Sequence, residues 1–256
     1  MFRSRSLLVA LPFLLLALAY PALRELPRLA GLENATLTWR YSLRGPVVPE
    51  APVTIVAVDD ATVAALGGWP VPRDRLGTAI RYLSEAGAAV IAVDLLMAEP
   101  ARDRAADAAL ADALRASGRT FLPVAGTMHG TAAGGTPVDL SGHTVPLRRG
   151  AGAPLPPAPG ALLTPIRPLA AAAAGLGHVN VLLGPDGALK GVHPVIALPA
   201  DGTLPSLALL AAAGYHDLTR RELAVDLPGA VHLGAERVPL GHDGRWTVNF
   251  YGPGGS

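Results

Sequence analysis

The run SLLVALPFLLLALAYPAL, Ser6 to Leu23, contains no charged residue. No other stretch restricts the chain as strongly, because a helix that is apolar on every side must be covered by lipid or by a large core. At about 1.5 Å per residue its 18 residues span ~27 Å, close to the hydrocarbon thickness of a bilayer. Arg3 and Arg5 precede it and, with the amino terminus, favour a cytoplasmic start. Residues beyond about 25 are then expected on the far side of the membrane. Pro12 is compatible with a membrane helix. Two other readings stay open. Ala17-Leu18-Ala19 resembles a cleavage site, which would make the run a removable leader. A buried core helix would also be uncharged, but it would normally show a polar face.

Composition narrows the classes of function. The chain has 256 residues, half of them hydrophobic, enough for one large or two small domains with a substantial core. The formal net charge is +1, which gives no electrostatic case for a nucleic-acid partner. There is no cysteine, so disulfides, thiolate zinc sites and cysteine nucleophiles are excluded. Lys190 is the only lysine, and the heavy use of Ala, Gly, Pro and Arg fits the coding bias of a GC-rich bacterial genome.

Residues 24 to 50 are mixed in character and allow a helix extending from the membrane. VTIVAV, Val53 to Val58, is a continuous run rich in β-branched residues and predicts a strand buried on both faces. A short helix is expected over Asp60 to Leu66, stopped by Gly67-Gly68, and a longer one over Asp74 to Ala86. There Ile80, Leu83 and Gly87 share a face, and Arg81 and Glu85 form an outward pair. AAVIAVD, Ala88 to Asp94, predicts a second buried strand. Asp103 to Ser117 predicts a helix with Leu110 and Leu114 one turn apart, and TFLPVAG a third, weaker strand. The order β-α-β-α-β makes a parallel, right-handed α/β core the economical topology. Thr127 to Pro159, rich in Gly, Pro and Thr, is expected to be a long loop. His178 to Leu183 and Leu189 to Leu198 predict the arms of a hairpin turned by Pro185-Asp186-Gly187. LPSLALLAAAGY predicts an apolar helix with Pro205 near its first turn, and Val231 to Leu240 and Trp246 to Phe250 predict further strands. The fold class is therefore α/β: an N-terminal transmembrane helix, a largely parallel sheet with flanking helices, and an added β-hairpin region.

In a parallel α/β sheet, ligands meet the carboxyl ends of the strands. Asp59 and Asp60 end the first expected strand and Asp94 ends the second, with Glu99 shortly after. The loop Gly67-Gly68-Trp69-Pro70-Val71-Pro72-Arg73 leads into the helix between them. Pro70 and Pro72 stiffen it, Trp69 offers an apolar plate with an N–H donor, and Arg73 can fork onto a carboxylate. The candidate ligand-binding residues are Asp59, Asp60, Trp69, Arg73 and Asp94. As a pocket they would hold a small polar or cationic molecule. As a clasp, Arg73 would neutralise Asp59 or Asp94 while Trp69 covers the strand ends. A hard-cation site on Asp59, Asp60 and Asp94 is a third arrangement, though no fixed ligand spacing supports it.

These residues carry a family resemblance. VAVDDATVAALGGWPVPRDRLGTAIRYLSEAGAAVIAVDLLMAEP resembles the pattern of an aspartate-ended strand, a WPxPR loop, a helix and a second aspartate-ended strand found in the CHASE domain of the second type. GLGHVNVLLGPDGALKGVHPVIAL, LPSLALLAAAG and RWTVNFYGP follow in the family's order, so the resemblance covers about residues 45 to 253. Lys190 stands where the family usually has arginine, and Val71 replaces a second tryptophan. The resemblance implies an extracytoplasmic sensory domain of a bacterial receptor in the cytoplasmic membrane. Residues 1–25 would be its cytoplasmic start and single transmembrane helix, and 26–256 its sensory domain, which lacks the family's usual final strand. The resemblance further implies a cytoplasmic adenylate or guanylate cyclase, histidine kinase or Ser/Thr kinase as the output, absent from this chain, and a homodimer. It supplies no ligand residues.

A sensor for an unknown small extracytoplasmic ligand is thus the favoured reading, with no catalytic residue and no cofactor or metal. The alternatives are a secreted or anchored hydrolase using the Asp cluster, and a domain that binds no ligand. None of the seven histidines falls in HExxH, and there is no G-x-S-x-G elbow or phosphate-binding glycine loop. His178 and His193 could face each other across the expected hairpin, though solvated or core positions suit them as well.

Overall fold

The computed structural model describes residues 27–49, 52–127, 138–183, 187–199 and 202–252. The apolar run Ser6–Leu23 and the Pro185-Asp186 part of the expected turn lie outside them. No helix among the described residues is long and apolar enough to cross a membrane. The chain divides into two compact units: residues 1–54, 183–190 and 248–256 in one, and 55–182 with 191–247 in the other.

The first unit is organised by helix α1, Pro27–Arg44. Gly45, at φ +71, ends it, and its N–H closes on the Tyr41 carbonyl at 3.0 Å. The last turn of α1 grips the segment after Thr247. The Tyr41 hydroxyl donates to the Val248 carbonyl at 2.6 Å, and Arg44 donates to Asn249 Oδ1 at 2.5 Å and to the Phe250 carbonyl. The Tyr41 and Phe250 rings meet edge-to-face at 5.9 Å, and the Arg44 guanidinium lies 5.0 Å from the centre of the Tyr41 ring. Backbone bonds from Val47 to Tyr251 and from Val248 to Lys190 complete the unit.

The strand expected at Val53–Val58 does not form. The segment belongs to no ladder, and Val53, Ile55, Val56 and Val58 are exposed. β-Branched residues favour an extended backbone, but a strand exists only where a neighbour takes its hydrogen bonds.

In the second unit, α2 spans Asp60–Ala65, and Gly67 and Gly68, both at positive φ, turn the chain out of it. Helix α3, Arg73–Glu85, buries Gly77 and Ile80. Its Arg81 donates to the Thr78 hydroxyl at 3.1 Å instead of pairing with Glu85, and Gly87 is exposed rather than on the packed face. Strand β1 is only Ile91–Ala92, and it is an edge: Ile91 and Val93 are buried while Ala92 and Asp94 are exposed. Helix α4, Arg104–Ser117, starts on Asp103, whose carboxylate accepts the Ala105 N–H at 2.9 Å, and stops at Gly118 in the left-handed conformation.

β2, Thr120–Thr127, read from sequence as the weaker strand, is the centre of the first sheet. It pairs in parallel with β1 and with β5, Gly175–His178, and antiparallel with β4, Ala161–Leu163. Pro123 sets where β1 ends. Alternate β2 residues face β1, the Val93 N–H donates to the Phe121 carbonyl at 3.1 Å, and the next position on that side is a proline with no N–H to continue the ladder. Helices α3, α4 and α5, Arg167–Ala172, cover the sheet over a core that includes Ile80, Leu110, Leu114, Leu122, Leu169 and Leu176.

The expected hairpin is absent. β6, Gly191–Val192, pairs with β12, Trp246–Thr247, and β7, Val195–Ala197, with β8, Thr203–Pro205. Pro205 therefore ends a strand. Ser206 caps helix α6, Leu207–Tyr215, accepting the Leu209 N–H at 3.1 Å. Gly177 admits the start of α6 onto β5, where a Cβ would lie 2.7 Å from the Leu207 backbone. The second sheet has the order β11-β10-β9-β3. Its strands are β3 (Leu147–Arg149), β9 (Leu223–Leu227), β10 (Ala230–Leu233) and β11 (Glu236–Pro239). β3 lies inside the stretch expected to be loop, and the strand expected over Val231–Leu240 is a hairpin. Only the β3–β9 pair is parallel in this sheet, so the architecture is mixed α/β with parallel pairing concentrated around β2. A second core joins α6 to the sheet through Leu209, Leu210, Ala213, Val225 and Val231.

Candidate functional site

The tryptophan loop is built from its two ends. Asp59 caps α2, its carboxylate accepting the Thr62 N–H at 2.8 Å and the Thr62 hydroxyl at 2.6 Å. Those bonds hold its pKa below the ordinary aspartate value. At the other end, Arg73 opens α3 and turns inward. Its guanidinium bonds the Asp107 carboxylate and the Glu99 carbonyl, and the Ala101 N–H donates to the same carboxylate at 3.1 Å. The side chains of Arg73 and Asp107 are only 11% and 7% exposed. One arginine thus ties the start of α3, the segment after β1 and the first turn of α4.

Arg73 pairs with Asp107, not with Asp59 or Asp94. Desolvating both ions is costly, and the arrangement is tolerated because the carboxylate also receives a backbone N–H and the guanidinium a carbonyl. Asp107 carried a signal that the sequence reading passed over. It sits on the α4 face of Leu110, Ala111, Leu114 and Ser117, all buried. An acid on an apolar helix face needs a cationic partner.

Trp69 does not cover strand ends; it is 65% exposed, and the Trp69–Pro70 peptide bond is cis. Asp60 and Asp94 are also exposed. Among the described residues no hydrogen bond or ion pair joins Asp59, Asp60, Trp69 and Asp94 to one another. Nor is any group of three or more His, Asp or Glu side chains gathered as metal ligands there. The loop therefore presents an indole on the surface, between an acid that caps a helix and an arginine committed to the interior.

The histidines lie elsewhere. His178, at the end of β5, is 2% exposed. Its Nδ1 accepts the Asn180 N–H at 3.3 Å. Burial, reinforced by His193, pushes its pKa down to about 4 against the opposing pull of the Pro194 and His193 carbonyls, so the ring is neutral at pH 7. His193 is also lowered, by burial and then by Arg245, with Asp243 acting the other way. On the second sheet, His232 Nε2 lies 2.7 Å from Asp226 Oδ2, with Arg148 3.7 Å from the other oxygen of that carboxylate.

A family model described as the CHASE2 domain matches residues 13–256. No curated protein and no solved structure matches the chain.

Proposed function

The chain belongs to the CHASE2 domain family, a family of extracytoplasmic sensory domains, and from that premise we propose that it is the sensory part of a bacterial single-pass membrane receptor. The observation that carries this reading is the family match over essentially the whole chain, joined to the uncharged Ser6–Leu23 run behind two arginines. The sensory domain is not itself catalytic. Its role is to bind a small molecule outside the cell and to shift the population of domain conformations. The membrane helix passes that bias to a cytoplasmic cyclase or kinase, in a dimeric receptor. A coupling of roughly 1–3 kcal/mol suffices for such control.

We assign ligand contact to the exposed indole of Trp69 and the acids Asp59, Asp60 and Asp94. Arg73, bound to Asp107 and the Glu99 carbonyl, braces the loop that carries Trp69. A surface indole stripped of packing duty is suited to stacking on a polar or cationic molecule. The test is thermal unfolding of the chain in lipid nanodiscs with a panel of small amines and amino acids. A compound that raises the unfolding temperature of the wild type should lose that effect in Trp69→Ala and in Asp94→Asn. Stabilisation undiminished in both variants contradicts the assignment.

A further inference from the structure

A concavity lies at the amino ends of β2 and β5, away from the loop just described. It has a volume of about 290 Å³ and is walled by Phe121, Ala174, Leu210, Ala213, Leu218 and Arg220. We propose that this cleft binds a small carboxylate with an apolar tail, held by the Arg220 guanidinium and seated against the Phe121 ring.

The charge balance of Arg220 favours an anion. The guanidinium is half-buried, and its hydrogen-bonding partner among the described residues is a neutral imidazole: Nη1 lies 3.1 Å from His143 Nδ1. The Leu176 N–H donates to the same nitrogen at 3.3 Å, which fixes it as an acceptor. Burial, and then the Arg220 charge itself, hold the His143 pKa below its ordinary value, so the ring offers no compensating charge. The nearby acid Glu222 is engaged elsewhere, accepting the Thr219 N–H and hydroxyl at 2.8 Å each. Asp139, the acid that acts on His143 from the other side, is held by the Ser141 N–H at 2.9 Å and the Ser141 hydroxyl at 3.0 Å. Among the described residues Arg220 forms no ion pair, so it brings a full positive charge and a planar fork of donors to the cleft.

The floor is shaped for an apolar group. Phe121 is wedged between two glycines: a Cβ at Gly175 or at Gly214 would come within 3.0 Å of its ring. The ring can lie there only because both side chains are missing, and it stays half-exposed toward the cleft. Leu210, Ala213 and Leu218 complete an apolar wall. The volume is near the lower end for ligand cavities, about 300 Å³, which suits a compact acid and excludes a dinucleotide.

The experiment compares 3-phenylpropionate with the uncharged 3-phenylpropanol by saturation-transfer NMR on the whole chain in lipid nanodiscs, with empty nanodiscs subtracted. The acid should bind at least about tenfold more tightly than the alcohol, as expected for one charge-assisted pair. Arg220→Gln should abolish that preference, while Arg221→Gln, which removes a neighbouring exposed arginine, should leave it intact. The proposal is overturned if acid and alcohol bind alike, if the preference survives Arg220→Gln, if both variants lose it equally, or if the acid fails to bind at millimolar concentration. None of these results bears on the sensory reading, which rests on family and topology.

Discussion

Acidification should weaken the fold through His178, by an amount that follows from its burial. The ring is neutral in the folded chain, with a pKa near 4, against an ordinary value of about 6.5. The unfolded state therefore takes up the proton first as pH falls. The stabilisation is fully present above about pH 6.5, declines through the window between the two values, and is exhausted below about pH 4. A shift of about 2.5 units at 1.36 kcal/mol per unit corresponds to a total of about 3 kcal/mol. Roughly 2 kcal/mol of it is lost between pH 7 and pH 5 by the same linkage relation. For a chain of this size that is roughly 4–8 °C in unfolding temperature. The assay is thermal unfolding at pH 7 and pH 5, compared between wild type and His178→Gln. The variant loses stability at both values because the site is packed, but its change with pH should be smaller by that amount. Other groups, His143 and His193 among them, titrate in both proteins and cancel in the difference. Identical pH dependence in the two proteins refutes the reasoning. So does an imidazole NMR titration of the wild type that places His178 near 6.5, a reading that stands even if the variant fails to fold.

The buried pair gives a second expectation. Arg73→Met and Asp107→Leu should each cost about 3–5 kcal/mol by chemical denaturation, since each leaves an ion buried without its partner, and the double variant should recover much of the loss. Additive losses would show that the pair is not coupled. Trp69→Ala should change stability by no more than ~0.5 kcal/mol, because the indole is exposed; a variant that fails to fold would show the loop to be core packing.

Helices α2, α3, α4 and α6 were legible in the sequence because their signals are local, whereas the six-residue α5 was not read. α4 shows an aspartate cap, a buried face through Leu110 and Leu114, and a terminal glycine, all within one short window. α6 was read from its apolar run, while its cap at Ser206 was not. Strands were less legible because pairing is not local. Val53–Val58 has the composition of a buried strand and lies exposed. Thr120–Thr127, interrupted by Pro123, looked weaker and is central, because the proline falls on the side where β1 has ended. The arms read as one hairpin found other partners: His178 ends β5, which pairs with β2, and the second arm divides into β6, paired with β12, and β7, paired with β8. At the candidate site the loop and its arginine stood out, but the partner was mistaken. The aspartates at apparent strand ends drew attention, while Asp107 was hidden in the first turn of a helix whose buried face it shares.

The claim on which the functional account rests is that the folded part of the chain lies outside the cytoplasm. The absence of cysteine makes this directly measurable, since one introduced thiol is the only one present. Glu85→Cys, at the exposed end of α3, and Ser4→Cys, before the apolar run, would each be treated in intact expressing cells with a membrane-impermeant maleimide. The account predicts labelling at position 85 without permeabilisation, and at position 4 only after the membrane is opened. Labelling of position 85 only after the membrane is opened would contradict it.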